Sequence, residues 1–118
     1  MSKFVSSLKT EWLDDARARV IWPLVYNSDV AVTTFVVPIG FETDFASVPR
    51  LPFVYEAVGD VAHAAAVLHD SLYTTGEVSR AMADAVFREA ALVSGVSGWQ
   101  AWILWAGVRI GGASHYKK

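Results

Sequence analysis

Between Pro38 and Pro52 the hydrophobic period of this chain changes, and that change limits the folds open to it. Before the break, Ala18 to Tyr26 and Val30 to Val37 are runs rich in β-branched and aromatic residues, separated by Asn27-Ser28-Asp29. Such runs favour strands and such a break favours a turn, so we expect a hairpin over about residues 18–37, with residues 4–8 adding a third strand. Pro23 lacks a backbone donor and marks an edge position or a bulge. After the break the apolar spacing becomes helical. Asp60 is the expected N-cap of a helix through Tyr73 that ends at Thr74-Thr75-Gly76; further helices are expected at about Val78 to Ser94 and Ser97 to Ile110, before Gly111-Gly112. Strands first and helices after imply an α+β fold: a small antiparallel sheet with three or four helices packed on one face. Residues 1–118 suffice for a single domain.

Composition removes several classes of function. With no cysteine there is no disulfide framework, thiolate metal site or cysteine nucleophile, so any metal ligand must be His, Asp or Glu. Net charge is −2, which argues against broad electrostatic capture of nucleic acid. Lys9, Glu11, Asp14 and Asp15 interrupt any apolar leader, so no export signal is expected. Hydrophobic residues make up 53% of the chain, and the segment Trp99 to Arg109 is apolar almost all round. That segment is shorter than the roughly 20 residues needed to cross a bilayer, so a buried helix is expected and no membrane span. Trp99, Trp102 and Trp105 lie at i, i+3, i+6 and share a broad face, packed on the sheet or shown to a partner.

Three places hold candidate chemistry. In the loop Gly40 to Arg50, Phe41, Phe45, Val48 and Pro49 can pin the backbone and so fix Thr43, Asp44, Ser47 and Arg50; the plainer role of Asp44 and Ser47 is an Asx turn or helix cap. No Gly-x-Ser-x-Gly elbow surrounds Ser47, so no serine hydrolase is expected. The doublet His69-Asp70 closes an otherwise apolar helical run. Adjacent helical residues point about 100° apart, so both reach one ion only where the helix borders a cleft or frays. His63 lies seven residues before Asp70 on the same face, so Asp70 holding the tautomer of His63 is the structural alternative. Asp84 falls on a stripe with Glu77, Arg80 and Arg88, either a solvated set of ion pairs or the lining of a polar cleft.

Together, Gly40-Phe41-Glu42-Thr43-Asp44-Phe45-Ala46-Ser47-Val48-Pro49-Arg50, the run Ala65 to Tyr73, Ser79-Arg80 with Ala83-Asp84 and Phe87, and Val108 to Gly112 resemble a family of small uncharacterised phage and prophage proteins, a domain of unknown function. The likeness spans about residues 18–116. It implies a phage or prophage origin, hence the bacterial host cytoplasm or the virion, and brings no activity. Where a tryptophan is expected after Gly111-Gly112, this chain has His115-Tyr116, and no role is carried there. The order His63, His69, Asp70, Asp84 is also similar to the metal-dependent phosphohydrolases named for their His-Asp doublet, but as chemical analogy only: here the earlier His shares the doublet's helix.

The leading expectation is a metal-dependent hydrolase. Asp44, His69, Asp70 and Asp84 would converge as catalytic and metal-holding residues on zinc, manganese or magnesium, and the metal would activate a water. Ser47, Arg50 and Arg80 would bind an anionic substrate group. The alternative is a non-enzymatic protein, a virion or tail-associated structural component or a factor that binds a host protein, with the tryptophan face supporting homo-oligomer or virion assembly.

Overall fold

A computed structural model describes residues 1–45 and 62–117. Among the described residues, six strands form two three-stranded antiparallel sheets. In the first, β1 (Lys3–Phe4) and β5 (Thr33–Val37) flank β4 (Leu24–Ser28). In the second, β2 (Thr10–Trp12) and β6 (Glu42–Thr43) flank β3 (Ala18–Val20). The described residues then form the helices α1 (His63–Thr75), α2 (Arg80–Val93) and α3 (Gly98–Gly111), followed by a short 3-10 turn over Ala113–His115. The α+β class and the order of strands before helices stand.

The expected hairpin is present but shorter. Leu24 pairs with Val37, Tyr26 with Phe35 and Ser28 with Thr33, so Asn27 and Ser28 belong to the strand and the reversal falls at residues 29–32. There Val32 adopts φ 54°, a left-handed conformation costly for a β-branched residue. The expected single strand from Ala18 to Tyr26 is instead two strands in different sheets, broken around Pro23. Pro23 has no N–H for a continuous ladder, and the Ser6 hydroxyl takes its carbonyl at 2.7 Å. The strand expected over residues 4–8 is the short β1, paired Lys3 to Asn27 and Phe4 to Tyr26.

Alternation sets the core. Leu24 and Tyr26 on β4, Phe35 and Val37 on β5, and Ala18 and Val20 on β3 face inward, all buried. From the helices come Leu68 and Leu72 of α1, Val86 and Phe87 of α2, and Leu104 and Val108 of α3. Each large apolar side chain of this kind contributes about 1.5–3 kcal/mol when fully buried. Helix α1 packs on β5 and β6, and α2 packs on β1, β4 and both other helices. No described helix is long and apolar enough to cross a membrane.

The helix boundaries follow local chemistry. Helix α1 stops at Gly76, whose φ of 65° gives the left-handed cap, and its N–H bonds the Leu72 carbonyl at 3.0 Å. Ser79 caps α2, its side chain accepting from the Met82 N–H at 3.1 Å. Asp60, the expected cap of α1, lies outside the described residues.

Candidate functional site

Two consecutive residues of α1, His69 and Asp70, serve two different places. His69 points into the core and is fully buried, whereas Asp70 is partly exposed on the wall of a cleft. The rotation of about 100° per helical residue separates them. The four residues expected to share one centre therefore divide into pairs, His69 with Asp84 and Asp70 with Asp44. Among the described residues, no group of three or more His, Asp or Glu is placed to hold a metal ion.

The first place is a buried polar network centred on Asp84. His69 Nε2 lies 2.7 Å from Asp84 Oδ1, the Tyr73 hydroxyl donates to the same oxygen at 2.5 Å, and the Arg109 guanidinium donates to Oδ2 at 2.9 Å. Burial by itself would raise the pKa of Asp84; the hydrogen bonds from His69, Tyr73 and Arg109 outweigh it and hold the carboxyl below its ordinary value. An ionised carboxylate only accepts, so the His69 ring carries its proton on Nε2. Burial is also the main reason that the His69 pKa is lowered, against the pull of Asp84. The result is a neutral imidazole, a carboxylate and a guanidinium with balanced charge. Burial and then the bond to Asp84 raise the Tyr73 pKa, so its hydroxyl stays protonated.

Local sequence explains how the network forms. His69 and Tyr73 are four apart on α1 and their rings touch at a tilt, 4.1 Å between centroids, with the Phe87 ring of α2 5.0 Å from the imidazole. Arg109 arrives from the last turn of α3. Gly112 permits this closeness: a Cβ there would lie 2.5 Å from the Val108 carbonyl and 2.8 Å from the Tyr73 hydroxyl. Arg80, expected to clamp a substrate, instead donates through Nη2 to the Val108 carbonyl at 2.9 Å and to the Arg109 carbonyl. A cation there also satisfies the negative end of α3. Asp84 is not part of a solvated stripe with Arg80 and Arg88; its partners come from the two neighbouring helices.

The second place is the cleft, a cavity of about 430 Å³ lined by Arg17, Glu42, Thr43, Asp44, Asp70, Thr74 and His115. The Thr43 hydroxyl donates to Asp70 Oδ2 at 2.5 Å and accepts from the Phe45 N–H at 3.0 Å, which ties β6 to α1. Phe45 has a φ of 60°, so the chain turns sharply just after Asp44. Its buried ring packs near Trp12 at 6.0 Å and near His63 at 5.7 Å, anchoring the turn as the aromatic pattern of the loop implied. Arg17 reaches Asp14 at 3.0 Å and Glu42 at 3.4 Å along one rim. Across from it, the segment carrying His115 is fastened by the Tyr116 hydroxyl on the Val78 carbonyl and the Lys117 N–H on the Tyr73 carbonyl. Ser47 and Arg50 lie outside the described residues.

Sequence reasoning missed Tyr73 and Arg109 as partners and Arg17 and His115 as cleft residues; Thr43 is among the fixed loop residues it named, but without Asp70 as its partner. The i, i+4 relation of Tyr73 to His69 was the one local signal; the others depend on contacts distant in sequence.

The fold and these two places define a small α+β protein with a polar cleft backed by a buried ionic network. The family model "Protein of unknown function (DUF1353)" matches residues 18–108, and the chain belongs to that family. No curated protein and no solved structure matches it.

Proposed function

We propose that the chain is a phage- or prophage-encoded hydrolase acting in the host cytoplasm or the virion, and that the cleft of Asp44 and Asp70 is its reaction centre. The observation that carries this reading is the Asp70 carboxylate, held at 2.5 Å by Thr43 on the wall that Asp44 shares. A carboxylate fixed in this way is preorganised to accept a proton from a water or to hold a cation that polarises it. Two carboxylates suit a hydrated magnesium or manganese ion, which uses one or two protein carboxylates, better than zinc, which takes three protein ligands in catalytic sites. Such an ion would supply Lewis acidity to the bond being cleaved. Arg17 and His115 stand on the same walls, as positions for an anionic group of the substrate. The His69–Asp84 network holds α1 rigidly, and Asp70 with it.

The test is hydrolysis of activated phosphate esters, phosphodiesters and glycosides with magnesium or manganese present. Turnover lost in Asp44→Asn and Asp70→Asn, both folded, supports the reading. Absence of turnover on all three substrate classes, or turnover unchanged in both variants, overturns it.

A second reading rests on a separate observation. Trp99 and Trp102 are 60% and 55% exposed on α3, and Ile110 is 87% exposed near its end. Trp105, expected on the same face, is turned toward α2 and lines another cavity. An outward aromatic pair suits a virion or tail component or a factor that binds a host protein, and in that role the polar residues only stiffen the fold. Sedimentation of wild type and Trp102→Glu separates the two readings. Self-association removed by the substitution favours assembly, and a monomer at all concentrations counts against it.

A further inference from the structure

On the opposite side of α2, a cavity of about 570 Å³ opens between that helix and the β4–β5 turn. Val30, Leu92, Val93 and Trp105 give it apolar walls, and Glu89 stands among them. The Glu89 carboxylate is fixed by three neutral donors. Oε1 accepts from the Tyr26 hydroxyl at 2.9 Å and the Ser28 hydroxyl at 2.8 Å, and Oε2 accepts from the Val30 N–H at 2.9 Å. It makes no ion pair among the described residues. Asp29 at the rim is already occupied, 3.2 Å from the α-ammonium of Met1. Arg88 also borders the cavity, but it is exposed and, one residue from Glu89 on the helix, points about 100° away.

We propose that this cavity binds an organic ammonium ion, with the cationic head on Glu89 and the apolar body against Trp105, Leu92 and Val93. A fixed negative charge beside apolar walls attracts a cation more strongly than one surrounded by water, because the walls supply no dipoles to screen it. Trp105 adds an indole to the wall, the aromatic ring that cations prefer. An anion meets the Glu89 carboxylate, which no cation of the described residues pairs, whereas Asp29 is already matched by the Met1 ammonium. A neutral apolar ligand strips water from Glu89 and returns nothing for it. The volume falls within the range of about 300–1,000 Å³ typical of small-ligand sites.

The experiment follows amide and indole NMR shifts of the full chain titrated separately with hexyltrimethylammonium, hexanol and hexyl sulfate. The expected result is saturable shifts at Val30, Leu92, Val93 and the Trp105 indole with the ammonium ion, at least tenfold weaker binding of hexanol, and none of the sulfate. Glu89→Gln keeps acceptor capacity for Tyr26 and Ser28 and should weaken ammonium binding about tenfold. Ala85→Phe fills the cavity with Glu89 intact and should abolish it. No saturable shift with the ammonium ion, equal affinity for hexanol, or undiminished binding by folded Ala85→Phe overturns the proposal.

Discussion

His69 on α1 donates to Asp84 on α2 at 2.7 Å with both side chains wholly out of solvent, and Arg109 on α3 closes the same carboxylate from its other oxygen. One carboxylate thus joins α1, α2 and α3. Its removal tests how much the helical layer depends on it.

Asp84→Ala leaves a buried imidazole N–H and a buried phenol, and the partly exposed Arg109 guanidinium, without their acceptor. Each buried donor left unsatisfied costs about 1–3 kcal/mol, so urea denaturation should show a fall of about 2–5 kcal/mol. Asp84→Asn, which keeps an acceptor, should cost less. A loss below about 1 kcal/mol in the alanine variant would mean that the network carries little of the fold.

Acid should destabilise the protein in two stages. The His69 pKa is lowered from 6.5 in the folded state, so as pH falls through that value the unfolded chain takes up a proton that the folded one refuses, and stability drops. The Asp84 pKa is lowered from 3.8, so its contribution is present above that value and is lost as pH falls further, through its folded pKa. Urea midpoints between pH 8 and pH 2 measure both stages. His69→Gln should remove the first and leave the second.

Much of this architecture was legible locally. The end of α1 at Gly76 follows from a residue that tolerates φ 65°, and the start of α2 follows from Ser79. Pro23 announced a disturbance, but not that Ala18–Val20 would leave for a second sheet, because the strand's partners, Thr10 to Trp12 and Glu42 to Thr43, are set by tertiary pairing. Asp84, taken alone, reads more readily as a solvated residue between Arg80 and Arg88. Its burial depends on Tyr73 and Arg109 coming from other helices, which no spacing within α2 encodes. The split of His69 from Asp70 was implicit in helical geometry; which of the two faced the cleft was settled only by packing on β6.

Gly112 and Gly98 should respond in opposite directions. Gly112→Ala places a methyl 2.5 Å from the Val108 carbonyl and 2.8 Å from the Tyr73 hydroxyl, and such overpacking costs about 1–3 kcal/mol. At Gly98 a Cβ meets nothing within 4 Å, and alanine at this helical position should be neutral or add up to about 1 kcal/mol. Thermal melts of the two variants provide the comparison.

Thr43→Val removes the hydroxyl that holds Asp70 while keeping the side-chain volume. Because Thr43 also receives the Phe45 N–H, about 1–3 kcal/mol of stability should be lost. Asp70 should also be less well fixed. Any hydrolysis measured for the wild type should fall in this variant by more than its loss of folded population explains, as read by turnover at a temperature where both are folded.

The assignment of function to the cleft, with the His69–Asp84 pair as its support, is tested most directly by titrating manganese into the folded protein and mapping paramagnetic broadening of backbone amides. Broadening centred on Thr43, Asp44, Asp70 and Thr74, and lost in Asp70→Asn, is the expected result. Broadening centred on Asp84 and Arg109, or none in the cleft at millimolar manganese, contradicts it.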